Sequence, residues 1–204
     1  LTLHSSEGAH PFTILEHDTR SGLTTLAIKG LGDYTQRLSE RLQLGQQAQI
    51  EGPFGRFTLP PAEAQPHYWI AGGIGITPFL SHIPELEQRQ ADWQLHYCFH
   101  DADNNAFVDA LSAAPWRDRV NVHVSALGSR LDLPRLFADL EPGTHVYTCG
   151  PAALNEAVKA AAERHQVPAS QLHFEQFIVE DKGGEAFTLV LARSGREFTV
   201  PQDM

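Results

Sequence analysis

The segment AGGIGITPF, residues 71–79, has the residue types and spacing best suited to holding a phosphate. It follows the apolar run HYWI and opens a helical pattern. Gly72, Gly73 and Gly75, interleaved with Ile74 and Ile76, let a backbone turn tightly and approach a pyrophosphate. A helix start there presents free N–H groups and a positive partial charge of about half a unit. Thr77 adds a hydroxyl, and Pro78 occupies the first helical turn, where a missing N–H costs nothing. The spacing over Gly73, Gly75 and Pro78 is G-x-G-x-x-P, where the dinucleotide fingerprint carries a third glycine. A ligand loop and a purely structural strand-to-helix turn both satisfy this pattern.

Three further groups carry chemistry. Cys149-Gly150-Pro151 closes the run VYTCG and starts the most regular helical pattern of the chain. Ligands of open parallel sheets sit beyond the carboxyl ends of strands, so Cys149 would share a crevice with the glycine loop. A buried structural thiol before a helix is the equal alternative. His10-Pro11-Phe12-Thr13 lies between a glycine turn and a strand, where a histidine usually packs or faces solvent. The histidines show no metal-ligand spacing, so no metal site is expected, and G-x-S-x-G is absent.

The elements that must position these groups fall into two rhythms. PFTILEH, LTTLAIKG and QAQIEG alternate as strands, with a short helix over GDYTQRLSERL, capped by Asp33 or Thr35 and apolar at Leu38 and Leu42. After LPPAEAQP, residues 59–66, apolar strands alternate with helices through residue 178. Pro84 is expected to kink or break the first of those helices, and the second to begin near Asn104. The fold class is α/β: a partial antiparallel β-barrel over 1–62, then a five-stranded parallel α/β nucleotide-binding domain over 63–178. Residues 179–204 read as a linker and a hairpin, FTLVLA and REFTV around Arg193-Ser194-Gly195. The opening inside LTLH and the unpartnered closing hairpin lead to the expectation of a piece of a longer polypeptide.

Composition narrows the function. With 15 Lys+Arg against 25 Asp+Glu the net charge is −10, which argues against nucleic-acid binding. No window approaches the ~20 apolar residues of a membrane span. Two cysteines without metal spacing point to a reducing, cytoplasmic setting.

HPFTI, IKGLGDYT, EGPFGRF, AGGIGITPF, YTCGP and HFEQF occur in an order that resembles the ferredoxin–NADP reductase superfamily of flavoproteins, across residues 10–178. HPFT is similar to the flavin motif of ferric reductases and NADPH oxidases, while the second half looks more like phthalate dioxygenase reductases. The tail FTLVLARSGREFTVPQD resembles the opening hairpin of a [2Fe-2S] ferredoxin domain, whose C-x₄-C-x₂-C…C ligands are absent from this sequence. The family's barrel has one or more strands ahead of its HPFT-type motif.

The resemblance implies roles. His10, Pro11, Phe12 and Thr13 would line the isoalloxazine, with the Thr13 hydroxyl near the atom that receives the hydride. Ile28 and Lys29 would flank the flavin, and Gly32, Asp33, Tyr34 and Thr35 would place helix N–H groups on its pyrophosphate, favouring FAD over FMN. Gly72, Gly73, Ile74, Gly75, Ile76, Thr77 and Pro78 would hold the NADH or NADPH pyrophosphate, continued by Gly150 and Pro151. Cys149 would sit beside the nicotinamide, and Glu175 and Phe177 would close the flavin–nicotinamide contact, so that Thr13, Cys149 and Glu175 form the catalytic set. After the second strand, His100, Asp101 and Asp103 offer carboxylates and no Lys or Arg, which favours the free ribose hydroxyl of NADH.

The implied activity is an NAD(P)H-dependent flavoprotein reductase passing electrons through FAD to a one-electron acceptor. The acceptor would be a haem of a membrane domain, placing the chain at the cytoplasmic membrane face, or a [2Fe-2S] cluster in a C-terminal domain. A flavin-free NAD-dependent dehydrogenase and a nucleotide-binding regulatory module are the alternatives.

Overall fold

Apolar runs bounded by glycine and proline become the strands of two unlike regions. The structure, a computed structural model, describes residues 1–5, 8–30, 33–55, 57–59, 66–101, 107–177, 187–190 and 196–200. Gly32, Asp103, most of the 59–66 segment and the 193–195 turn lie outside the described residues.

The first region is antiparallel. Strand β1 (Thr2–Ser5) pairs with β2 (Gly8–Pro11) on one side. Strands β3 (Ile14–Asp18) and β4 (Leu23–Leu26) form a hairpin. Its turn is built by Asp18, whose carboxylate accepts from the Arg20 N–H at 2.9 Å and the Ser21 hydroxyl at 2.6 Å. Helix α1 (Asp33–Arg41) follows, and β5 (Gln49–Glu51) returns to the free side of β1. Leu38 is half-buried, but Leu42 falls beyond the helix end and is 53% exposed, so the two do not share one buried face.

The second region contains β6 (His67–Gly72), α2 (Thr77–Gln88), β7 (Trp93–Phe99), α3 (Val108–Ala113) and β8 (Val120–Val124). It continues through α4 (Leu133–Ala138), β9 (His145–Cys149), α5 (Ala152–Arg164) and β10 (Leu172–Glu175). The five strands form one sheet in the order β10-β9-β6-β7-β8, and every neighbouring pair is parallel. The expected five-stranded parallel sheet is therefore present. A separate antiparallel pair, β11 (Phe187–Val190) and β12 (Glu197–Val200), forms the C-terminal hairpin.

Strand alternation sends successive side chains to opposite faces, which gives the parallel sheet two cores. Trp69, Trp93, Leu95 and Tyr97 pack with Phe79, Ile83 and Leu86 of α2 and Leu111 of α3. Ile70 and Val146 pack on the other face with Phe137 of α4 and Val158, Ala161 and Ala162 of α5. Helix α2 runs unbroken through Pro84. Pro84 lies on the exposed side of the helix, and the expected break does not occur. Helix α3 is described from Val108, and the start expected near Asn104 lies outside the described residues.

Histidines cross the sheet on its polar positions. His67 is 3% exposed, and burial holds its imidazole down to about 4. His96 Nδ1 lies 3.1 Å from His123 Nε2, and burial likewise lowers His96 to about 4. Both groups are thus neutral in the folded chain and charge more readily when unfolded. Their contribution to stability is complete above the unfolded value of 6.5 and is lost as pH falls towards 4. Each accounts for roughly 3 kcal/mol at the acid end, from ~1.4 kcal/mol per unit. Thermal midpoints measured from pH 7 to 4 should fall, and His67→Leu should flatten that slope; an unchanged slope in the variant would remove His67 from the acid sensitivity.

Candidate functional site

Strand order builds the site. Strand β6 pairs with β9, yet α2 leaves to one face and α5 to the other, so the two strand-to-helix loops diverge from adjacent strand ends. That divergence opens a crevice at the carboxyl edge of the sheet.

The glycines divide into two kinds. A Cβ on Gly75 would fall 2.6 Å from the Cys149 carbonyl carbon. On Gly72 it would meet Pro151 Cδ at 2.6 Å, and on Gly150 the Gly72 Cα at 3.0 Å. These three glycines let the loops after β6 and β9 touch backbone to backbone. Gly73 differs: its φ is +54°, and a Cβ there would meet nothing within 4 Å. It alone of the four combines a left-handed turn with open space on the crevice side. The turn over Gly73–Ile76 is a 3₁₀ helix that precedes α2. Ile76, Thr77 and Pro78 are buried, and the Thr77 hydroxyl donates to the Ile74 carbonyl at 3.1 Å. The Thr77 hydroxyl therefore braces its own turn, and the half-buried Gly73 and Ile74 form the open end.

The crevice has a volume of about 530 Å³ and is lined by Gly72 and Gly73, His100, Ser125, Arg130 and Pro151 among others. Arg130, with Ser125 and Ser129, was not among the residues singled out from the sequence. Gly128, at φ +77°, turns the chain after β8, and the Ser129 N–H bonds back to the Val124 carbonyl at 3.1 Å. His100 Nδ1 lies 3.0 Å from Ser125 Oγ, tying the ends of β7 and β8. His100 lines the crevice, whereas Asp101 does not, and Asp103 lies outside the described residues. Lys29 also lines this crevice rather than the flavin side assigned to it, while Ile28 is half-buried.

A second cavity, of about 550 Å³, lies between the antiparallel region and α2. It brings together Pro11, Phe12 and Thr13 with Pro78 of α2, Glu175 at the end of β10 and Phe177 just beyond it. His10 stacks on Tyr34, with ring centroids 3.6 Å apart and planes 6° from parallel. His10 Nε2 is buried with no partner among the described residues. His10 itself does not line the cavity; Phe12, Phe57 and Phe177 do, and an aromatic wall of this kind fits the planar ring of a flavin. Asp33 and Thr35 lie in the first turn of α1.

Burial shifts three ionisable groups here towards their neutral forms. Burial raises the Glu175 carboxyl above its usual range. Burial, reinforced by Glu175, pushes the Cys149 thiol up, and burial takes Cys98 up to about 12. Cys149 is 0% exposed and lines neither of the two cavities. It is a sealed thiol at the contact between the two loops. Among the described residues no group of three His, Cys, Asp or Glu could hold a metal ion, and no helix is long and apolar enough to cross a membrane.

No family model matches the chain. It is 54% identical over 167 residues to the carnitine monooxygenase reductase subunit of Escherichia coli (strain K12), covering 82% of this chain and 52% of that protein. It is 36% identical to the heme-dependent oxidative N-demethylase beta subunit of Ectopseudomonas mendocina (strain ymp), covering 81% of this chain and 52% of that protein. Among solved structures, phthalate dioxygenase reductase superposes with a TM-score of 0.82 at 27% identity, over 100% of this chain and 65% of that one. The fold, the motif order and these likenesses agree: the chain belongs to the ferredoxin–NADP reductase superfamily of flavoprotein reductases. It spans about half the length of the curated relatives it matches.

The two kinds of glycine predict different failures. Gly75→Ala should lower the thermal midpoint, because a Cβ would overlap the Cys149 carbonyl. Gly73→Ala should fold with a loss of about 1 kcal/mol from its φ and weaken dinucleotide binding by calorimetry. The reverse ranking of stability would contradict the division.

Proposed function

We propose that this chain is the flavin- and nicotinamide-binding part of an oxygenase reductase, oxidising NADH or NADPH and passing electrons one at a time to a [2Fe-2S] carrier. The observation that carries the reading is the second cavity, where Thr13, Glu175 and Phe177 converge from remote parts of the chain next to Pro78 at the end of the glycine loop. The carnitine monooxygenase and phthalate dioxygenase reductases support the oxygenase partner. The phthalate enzyme's structure is described as modular, for electron transfer from pyridine nucleotides to [2Fe-2S]. Its superposition extends over the whole chain, which supports reading the β11–β12 hairpin as the start of a ferredoxin-like domain. The domain division 1–62, 63–178 and 179–204 belongs to the same reading, as does FAD over FMN. A haem-bearing membrane domain as acceptor has no support from the relatives described.

Bound flavin would supply the exchange between a hydride and single electrons; the chain's residues position and insulate. Gly73 and Ile74 would take the dinucleotide pyrophosphate on open backbone N–H groups. Pro11, Phe12 and Phe177 would cover the flavin ring, with His10 stacked on Tyr34 behind them. Thr13 would direct its hydroxyl at the hydride-accepting atom, with donor and acceptor held ~3–3.5 Å apart. Glu175, whose carboxyl burial raises above its usual range, would stand at the cavity wall as a group able to exchange a proton there.

At the adenosine end, Arg130 with Ser125 and Ser129 offers a 2′-phosphate a cation and two hydroxyls. This weakens the preference for NADH drawn from Asp101 and Asp103, and the reading becomes acceptance of both coenzymes.

The test is anaerobic mixing of the purified full-length protein with NADH and NADPH. A flavin spectrum bleached by both, with kcat/KM values within about tenfold, is expected; Arg130→Ala should lower the NADPH value by tenfold or more, about 1.4 kcal/mol for a charge-assisted contact, and spare NADH. Absence of flavin absorbance would overturn the reductase reading, and an Arg130→Ala enzyme unchanged with NADPH would overturn the coenzyme assignment.

A further inference from the structure

Helix α5 carries one polar side chain on its buried stripe. Asn155 is 6% exposed and shares that face with Val158, Ala161 and Ala162. Asparagine is a poor helix former, and a buried amide is costly unless both of its ends are served. Here both are. The Thr148 hydroxyl donates to Asn155 Oδ1 at 3.0 Å, and Asn155 Nδ2 donates to the Glu175 carbonyl oxygen at 3.2 Å. A carbonyl can only accept, so the amide orientation follows from the Glu175 contact.

The need for this bond lies in the sheet. Strand β10 pairs with β9 through Phe174 opposite Thr148 and Glu175 opposite Cys149, and there the ladder stops. The next residues of the β9 chain are Gly150, packed on Gly72, and Pro151, which has no N–H. The chain that would continue the ladder thus turns away into the glycine contact. Asn155 reaches across from α5 and supplies the donor for the Glu175 carbonyl. Beyond that carbonyl the chain runs directly into Gln176 and Phe177, which with Glu175 wall the second cavity. On its other side the same helix contributes Ala153, Leu154 and Ala157 to the dinucleotide crevice.

We infer that Asn155 is a positioning residue: it fixes the direction in which the chain leaves β10, and so holds Glu175 and Phe177 in register with the crevice wall that α5 provides. The inference rests on the reductase reading for its catalytic consequence and on the hydrogen bonds alone for its structural one. It requires that loss of the clamp slow hydride transfer while leaving dinucleotide affinity nearly unchanged, because the crevice residues of α5 do not depend on the amide. A residue that merely stabilised the fold would not separate the two.

The test compares Asn155→Asp with the wild type as full-length, flavin-loaded protein. The aspartate keeps an acceptor for the Thr148 hydroxyl but replaces the donor to Glu175 with a second acceptor. Hydrogen exchange over residues 172–177, followed by mass spectrometry, should rise severalfold. Stopped-flow flavin reduction by NADH should slow about tenfold, within the range that misplacement of reacting groups produces, with the NADH dissociation constant within about twofold. Thr148→Val, which leaves the Glu175 bond in place, should leave exchange in this segment near the wild-type rate. Faster exchange with reduction at the wild-type rate would overturn the positioning role, and unchanged exchange would overturn the clamp itself. Should Asn155→Asp fail to fold, Asn155→Gln, one methylene longer, displaces the donor and is judged by the same criteria. A wild-type protein that NADH does not reduce would overturn the reductase reading and the catalytic role with it, while the exchange measurement would still decide whether the clamp exists.

Discussion

The structure depends on one close contact, the backbone-to-backbone approach of the loop after β6 to the loop after β9. Gly72, Gly75 and Gly150 permit it, since a methyl group on any of them would overlap a neighbouring atom at or below about 3 Å. Hydrophobic burial supplies the cohesion of the sheet and its two layers of helices, but it does not choose this geometry. The contact does. It brings the ends of β6 and β9 together while their helices depart to opposite faces, which leaves a crevice on one side and seals Cys149 beneath it. The same turn at Gly150-Pro151 ends the ladder to β10 and leaves the Glu175 carbonyl to be served from α5.

The electrostatics of the site follow from that enclosure. Where the loops close, burial keeps the Cys149 and Cys98 thiols protonated, and it also raises the Glu175 carboxyl above its usual range. Where the crevice opens, an apolar wall that includes Phe99, Leu131 and Leu154 also carries Arg130, Lys29 and two serines. A chain of net charge −10 thus places cationic side chains where a dinucleotide's phosphates would lie. Neither cysteine is activated as a nucleophile, since burial raises both thiols. The arrangement suits a protein that positions cofactors and leaves the chemistry to them.

Much of this was legible in the sequence because local pattern and final structure agree. HYWIAGG, WQLHYCFH and THVYTCG are apolar runs bounded by glycine or polar residues, and each becomes a strand of the parallel sheet. The glycine loop and Cys149-Gly150-Pro151 were visible as neighbours because both close strands of such a sheet. What escaped depends on distance through space. Arg130 lines the crevice only because β8 lies beside β7 and Gly128 folds its loop back. Gly72 and Gly75 look like ligand-cradling glycines in the motif, and only the opposing loop shows that they also permit a close packing contact. Pro84 signalled a helix break, yet its place on the exposed side of α2 makes it tolerable. Asn155 carried no signal beyond a polar residue in an apolar stripe, and its partners come from two strands.

The central claim is that the crevice between the two glycine loops is the dinucleotide site. Nuclear magnetic resonance mapping of ¹⁵N-labelled protein titrated with NADH tests it without relying on catalysis. The account predicts the largest amide shifts at Gly73, Ile74, Ser125, Arg130 and Gly150, with little change at His67 and His145 on the opposite edge of the sheet. Shifts centred on that opposite edge, or no saturable shift at the glycine loops, would contradict it.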